Sequence, residues 1–513
     1  MVNKKEDRLD DLLAKCRGFL RGKLDFVENR NAVLMLVFLK FAQDKFIKRQ
    51  HEIIMEFGVE ALDNIELYEK ENVLYLDSNS TWSYIVQNSG SDDIAKFMDM
   101  ALAAIEKNNK TLEGVFVPKF FSSLNIEPVK LRVFIECVDS ITDVVSGSDD
   151  IIGRVYEFFI KHYAMDERKI RGEYFTPKSV VELMVELIEP FENSVYDPCF
   201  GTGGLFIQSA KLSQRVRRNG NLKLYGQEIN REMWRLAKLN LAIQGINADL
   251  GQKCVSVFSE DIHAGIKMDY ILANPPFNLR SWEVEINFEK DERFLGYDLT
   301  KCANANYCWI LHILSKLSEN GVAGIILSNS PLNSEEDFSV RKSLIEQDKI
   351  EAIIVFPREM FYSTDISVSL WIFNNNKKER QLKSKSLKDR SNKVLFIDLR
   401  SWTQVRSEGN FVCFEEEQIQ RVKEIFDLWR FEYQKSEYFD IPELCKIVSI
   451  DDIRKQNYNL IPSKYIDFEH KKFEMNFDEE ITDLILELEG IKKEEDESFK
   501  RLTNVIKSLG YEI

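Results

Sequence analysis

The sequence has 513 residues, more than one hydrophobic core usually serves, so two or three folded units are expected. Its 44% hydrophobic and 30% charged content excludes a disordered chain, and its strongest apolar run, Val33 to Leu39, is too short to span a bilayer. A net charge of −16 excludes tight, unaided binding to nucleic acid over the general surface; a local basic cleft or another subunit would have to meet the phosphates, and an acidic enzyme that never meets DNA stays open.

Met1 to Arg8 is a charged start with no export or membrane signal. Eight cysteines without a Cys-x-x-Cys pair and five scattered histidines give no zinc spacing and no disulfide framework, so no metal is expected and reduced thiols in a cytoplasm fit. From the start to about residue 165, apolar positions at helical spacing, such as Leu12, Leu13, Cys16, Phe19 and Leu20, predict a helical domain. Ser146 to Asp150 is a turn-rich break, and Ile151 to Tyr163 reads as a helix leading into the next unit.

From about 170 to 376 short β-rich segments alternate with helical ones. Strands are predicted at Ser194–Asp197, Lys223–Glu228, Tyr270–Ala273, Val322–Leu327, Ile350–Phe356 and Val368–Phe373. Helices are predicted at Leu205–Val216, Arg231–Ile243, Ala305–Leu317 and Val340–Gln347. That alternation predicts a doubly wound α/β domain, with a mostly parallel sheet covered on both faces, over residues 166–400. Lys377 to Lys393 reads as a basic, exposed loop, after which a strand resumes at Val394–Leu399. Residues 401–513 end in an amphipathic helix from about 478, whose stripe of Ile481, Leu484, Ile485, Leu488 and Ile491 must be buried by this chain's core or by a partner's helices.

Four motifs carry chemistry. Val195 to Leu205 is a strand ending at Asp197 that enters a glycine turn, Gly201-Thr202-Gly203-Gly204, before a helix. Ligands of open α/β sheets sit at such strand ends. The third glycine of a dinucleotide fingerprint is replaced by Phe206 and no Gly-Lys-Ser/Thr follows, so this turn alone is as well structural as functional. Glu228, at the tip of the next strand, suits the hydroxyls of a ribose or simply the start of a helix. Asp261 stands where a carboxylate can accept from an adenine amino group, or is a plain loop acid. In Gly172 to Lys178, Thr176 suits an N-cap and Pro177 the first helical position, leaving backbone N–H groups free for a carboxylate.

The decisive motif is Tyr270 to Phe277, an apolar strand running straight into Asn274-Pro275-Pro276-Phe277. Two prolines preset the backbone of the turn. The Asn274 side-chain carbonyl and the Pro275 backbone carbonyl can then accept from one amino group, aiming its lone pair at an electrophilic methyl, while Phe277 offers a face to a base. Leu279 to Thr300 reads as a mobile loop over this site.

Glu-Tyr-Phe-Thr-Pro-Lys at 173–178, Asp-Pro-Cys-Phe-Gly-Thr-Gly-Gly at 197–204, Gln-Glu-Ile-Asn at 227–230 and Asn-Pro-Pro-Phe at 274–277, in that order, resemble the modification subunit of type I restriction-modification systems, an N6-adenine DNA methyltransferase. Val33 to Asp44 and the run from Ile350 through Pro357, Phe361 and Ile372 support the resemblance, which covers nearly the whole chain. It implies a Rossmann-like S-adenosylmethionine-dependent methyltransferase domain with an N-terminal helical domain and a C-terminal helical tail. It implies S-adenosylmethionine contacts at Glu173, Tyr174, Phe175, Thr176, Pro177, Lys178, Thr202, Gly203, Gly204 and Glu228, and catalysis at Asn274, Pro275, Pro276 and Phe277. Asp197, Gly201 and Asp261 complete the expected donor set, while Phe200 leaves the packing of its turn open. The implied partners are double-stranded DNA, a specificity subunit that reads its sequence, a second modification subunit and, in some complexes, a restriction subunit. The target adenine would be flipped out of the duplex. The competing readings are transfer to cytosine N4 or to a protein glutamine amide, and a non-catalytic scaffold that retains the donor fold.

Overall fold

Every residue from Ala32 to Leu39 is buried, within a helix of 32 residues, α1 (Phe26–Phe57). Such a run without a polar face calls for neighbours on all sides. Asp25 starts it with a capping box, accepting from the Glu28 amide at 2.8 Å while its own amide donates to Glu28 Oε2 at 3.2 Å. Helix α3 (Pro128–Asp139) packs against it, and α2 (Ile94–Asn108) packs against α3 within the same core. A computed structural model describes residues 24–140, 158, 176–216, 222–280, 282, 290–299, 302–361, 366–382, 385–406, 411–432, 438, 440–467 and 477–508. The predicted helical positions Leu12 to Leu20 and most of Ile151 to Tyr163 lie outside them, as do Glu173, Tyr174 and Phe175.

The strands are β1 (Asn193–Asp197), β2 (Leu222–Gly226), β3 (Ala248–Asp249), β4 (Met268–Ala273), β5 (Leu317–Ser328), β6 (Ile350–Val355), β7 (Val368–Asn374), β8 (Arg380–Leu382), β9 (Lys385–Leu387), β10 (Lys393–Asp398) and β11 (Cys445–Ser449). Nine of them form one sheet in the order β11-β10-β6-β7-β5-β4-β1-β2-β3. It is parallel except for β7, antiparallel to β5 and β6, and β11, antiparallel to β10. Side chains alternate between two cores: Val195, Leu272, Ile326, Ile354 and Leu370 face one, and Tyr196, Ile271, Ile325, Ile353 and Trp371 face the other. Both faces are therefore buried, which is why the strands read as nearly continuous apolar runs.

On the first face lie α4 (Lys178–Ile188), α5 (Gly204–Val216), α6 (Arg231–Gln244) and α9 (Glu416–Arg430), sharing one core with the N-terminal helices. On the second lie α7 (Asn306–Lys316) and α8 (Phe338–Glu346). Arg30 of α1 meets Glu232 of α6 at 2.9 Å, tying the helical region to the sheet layer. Successive strands leave β1 first toward β2 and β3, then toward β4 and β5, so the chain reverses direction between β1 and β4. A crevice at their carboxyl ends is where an open sheet binds its ligand.

One expectation changes. Lys377 to Lys393 is not simply an exposed loop: it holds the β8–β9 hairpin, and Lys377 and Arg390 are buried. The cause is Glu351, buried on β6, which needs compensating charge. Arg390 Nε meets it at 2.5 Å, and Asn374 Nδ2 and Trp429 Nε1 donate to it at 3.0 and 3.1 Å. A compact unit reaches to Ile466, with β11 extending the sheet and α9 packing on α4. Residues 467–513 form a second unit containing α10 (Phe477–Ser508), on which Ile481, Ile485, Leu488 and Ile491 are exposed.

Candidate active site

The end of β4 is the centre of the site. Asn274 is 9% exposed, and its amide nitrogen donates to Thr176 Oγ1 at 2.7 Å. Its Oδ1 is buried and has no hydrogen-bond partner among the described residues. A buried amide oxygen left unmatched costs roughly 1–3 kcal/mol, so Oδ1 is an acceptor that a donor beyond the described residues would satisfy. Strand β4 pairs with β1 in parallel, Tyr196 opposite Ile271, which sets the β4 tip beside the turn that leaves β1.

Thr176 does not cap the following helix, contrary to expectation. Pro177 occupies the cap position, helix α4 begins at Lys178, and no side chain caps it. The reason is competition: the Thr176 hydroxyl is taken by Asn274. The first amides of α4, those of Lys178 and Ser179, have no partner within the helix by its geometry. The Ser179 hydroxyl beside them is buried and also unpartnered. An anion is the ligand this helix start suits.

The glycine turn is built by two left-handed residues, Gly201 at φ +53° and Gly203 at φ +81°. Gly204 opens α5. The Thr202 carbonyl accepts from Asn240 Nδ2 at 3.0 Å, which pins the turn to α6. Glu228, at the end of β2, accepts from the Gly201 amide at 3.0 Å and the Asn230 amide at 2.9 Å, one on each oxygen. Phe200 is buried against Phe206 and over Gly226, where a Cβ would come within 2.5 Å of Phe200 Cδ1. Its bulk is matched by the missing side chain on β2.

Asp197 is buried, with Oδ1 accepting from the Cys199 amide at 3.0 Å. Burial pushes its carboxyl up to about 8; the Cys199 amide pulls the other way and the Glu228 charge adds to the rise. Asp261 is held differently. Lys316 Nζ donates to Oδ2 at 2.8 Å and the His263 amide to Oδ1 at 3.0 Å. Burial raises its carboxyl, but these contacts, Lys316 first, outweigh it and hold the group below the usual range. Its oxygens are thus already engaged within the chain.

Pro275 is buried and Pro276 exposed. Phe277 is 6% exposed and meets Phe361 edge-on, ring centroids 5.8 Å apart at 72°. It lies within the protein here and is not laid open as a stacking platform. After it, Asn278 turns the chain with a left-handed φ of +55°. Its side chain bonds Asn306, Ser328 and Ser330, none of which the sequence singles out. Of the 279–300 loop, Arg293 is anchored to Asp291, to the Phe258 carbonyl and to His312 Nδ1, the last at 3.0 Å.

Against known families, residues 147–474 match the model described as N-6 DNA Methylase. The chain belongs to the N-6 DNA methylase family. Residues 9–138 match the HsdM N-terminal domain, so both parts of the chain fall within the methylase subunits of type I restriction-modification systems. The HindI methylase subunit of Haemophilus influenzae is 33% identical over 383 residues, covering 73% of this chain and 83% of that protein. The MjaIX methylase subunit of Methanocaldococcus jannaschii is 27% identical over 529 residues, covering 98% and 91%. The crystal structure of a type I methyltransferase subunit from Streptococcus thermophilus shares the fold, with a TM-score of 0.70 at 21% identity over 90% of this chain and 99% of that one. The chain is an adenine-specific DNA methylase of the type I class, and its Asn-Pro-Pro-Phe turn lies at the crevice where such a sheet binds its ligand.

Proposed function

We propose that this methylase transfers the methyl group of S-adenosylmethionine to adenine N6 at the tip of β4, with Asn274 Oδ1 and the Pro275 carbonyl as hydrogen-bond acceptors for the amino group. The observation that carries the reading is the unpartnered, buried Oδ1 of Asn274, whose amide nitrogen is occupied by Thr176. S-adenosylmethionine supplies the activated methyl when bound. The α4 start, with the Lys178 and Ser179 amides and the Ser179 hydroxyl, suits its carboxylate. Glu228 suits the ribose hydroxyls, and Gly201 to Gly204 let the backbone come close. Glu173, Tyr174 and Phe175 would extend the same donor contact. Asp261 reaches the donor's adenine only by a lone pair that Lys316 and His263 leave free.

The target adenine is flipped from duplex DNA, because its amino nitrogen is out of reach while stacked. Asn274 Oδ1 and the Pro275 carbonyl accept hydrogen bonds from the two N6–H groups, drawing the nitrogen lone pair out of the ring and toward the methyl carbon; the methylated nitrogen keeps one of these hydrogens and releases the other to solvent as a proton. Pro276 holds the turn rigid, so the acceptors need no reorganisation during transfer. Phe277 stacks on the base once its edge contact with Phe361 gives way.

Sequence selectivity belongs to a separate specificity subunit, which also supplies the positive charge that a chain of net charge −16 lacks. A second modification subunit joins it, and a restriction subunit can complete the assembly. The exposed stripe of α10 is the surface offered to such a partner. The described cysteines are free thiols, which suits the cytoplasm, and no described helix is long and apolar enough to cross a membrane. A radiolabelled methyl assay on duplex DNA, RNA and protein, with nucleoside analysis of the product, tests the reading. N6-methyladenine in duplex DNA is expected; label in N4-methylcytosine or protein would contradict it.

A further inference from the structure

We infer that Asn278 and Asn306 form a positioning clamp that fixes the exit of the Asn-Pro-Pro-Phe turn for methyl transfer without taking part in donor binding. The inference rests on the transfer reading above. Asn278 follows Phe277 directly and adopts φ +55°, a left-handed conformation that asparagine tolerates better than most residues. Its backbone amide donates to Asn306 Oδ1 at 3.1 Å, and Asn306 Nδ2 donates back to Asn278 Oδ1 at 2.9 Å. The Asn306 side chain thus holds both the backbone and the side chain of Asn278. Asn306 is fully buried at the first position of α7, and its own amide is fixed by Asn304 Oδ1 at 3.0 Å.

Asn278 Oδ1 also receives Ser328 Oγ at 2.9 Å and Ser330 Oγ at 3.2 Å, from the end of β5 and just beyond it. One residue later the Ala305 amide donates to the Leu279 carbonyl at 2.9 Å. The turn is therefore held at both ends by other elements: Thr176 grips Asn274 at its start, and β5 with α7 grips Asn278 at its exit. The two prolines between make the segment stiff, so a displacement at Asn278 is passed on to Pro275 and Asn274 instead of being absorbed. None of the clamp side chains belongs to the helix start, glycine turn or Glu228 that form the donor site. The clamp should accordingly act on the transfer step, where misplacement by about 1 Å can cost ~100-fold.

The experiment uses the full-length chain with its specificity subunit on duplex DNA, and compares Asn278→Gly, Asn278→Asp and Asn306→Ala. Asn278→Gly keeps the left-handed backbone at no steric cost and removes only the side-chain bonds. Asn278→Asp keeps an acceptor for Asn306, Ser328 and Ser330. Single-turnover transfer should fall roughly 30- to 100-fold in Asn278→Gly and Asn306→Ala, and stay within about 3-fold of wild type in Asn278→Asp. Donor affinity by calorimetry should remain within about 2-fold in all three, a split that general loosening of the fold would not give. Wild-type transfer in Asn278→Gly, or a loss of donor affinity matching its loss of rate, overturns the clamp. Asn274→Ala, run alongside, separates the two claims: transfer surviving there removes the reaction assignment, whereas transfer lost there but intact in Asn278→Gly removes the clamp alone.

Discussion

Thr176 and Asn274 lie 98 positions apart in the chain and are joined by a hydrogen bond of 2.7 Å, from the asparagine amide nitrogen to the threonine hydroxyl. In that contact the amide nitrogen of Asn274 turns to Thr176 and its oxygen is left for another partner. An amide free to rotate would present its NH2 group to the incoming amine for part of the time, and a donor facing a donor cannot prepare the nitrogen for attack. In the proposed reaction, Thr176 thus sets the polarity of the acceptor at the tip of β4.

Thr176→Val keeps the shape and removes the hydroxyl. Its single-turnover transfer rate should fall about 10-fold, the worth of one such bond, while Thr176→Ser should stay near wild type. Equal rates in Val and Ser variants would show that the hydroxyl does not orient Asn274.

Gly226→Ala should destabilise the protein. The new methyl would lie 2.5 Å from Phe200 Cδ1, 2.9 Å from Phe206 Cζ and 3.1 Å from Leu250 Cδ2. Overpacking of this kind costs about 1–3 kcal/mol in urea unfolding. Phe200→Leu in the same chain should recover part of the loss, giving a coupling energy of about 0.5 kcal/mol or more. Strict additivity would mean that the two side chains do not share the space.

The Asp197 carboxyl, pushed up to about 8 mainly by burial, makes stability depend on pH. Its folded value lies above the 3.8 expected in the unfolded chain, so the folded state holds the proton more tightly. The stability from this group is complete below pH ~4 and is lost as pH rises through about 8, with a slope of at most ~1.4 kcal/mol per pH unit. Asp197→Asn should flatten the fall in unfolding free energy between pH 5 and 8.5. An identical slope in wild type and variant would show that Asp197 is ionised in the folded protein.

Much of this was legible in the sequence. The strands Tyr270–Ala273 and Val322–Leu327 announce themselves as apolar runs because both of their faces are buried, and Asn-Pro-Pro-Phe marks a strand tip because prolines cannot continue a ladder. The glycine turn also lies where its strand and helix flanks put it. Other features depend on tertiary partners that periodicity does not report. Thr176 looks like a cap until Asn274 claims its hydroxyl. Lys316 reads as an ordinary helix residue and yet holds Asp261. Asn278 and Asn306 stand 28 positions apart and carry no local signal. Arg390 sits in a basic stretch that suggests solvent, but Glu351, buried 39 residues earlier on β6, draws it inside.

Asn274→Ala measures the central claim most directly. With donor affinity followed by calorimetry and transfer by single turnover on duplex DNA, donor binding should stay within about 3-fold of wild type, while methylation falls by a factor on the order of 1,000 or more. Methylation at the wild-type rate in that variant would contradict the account, because the unpartnered oxygen on which the reaction is built would then be dispensable.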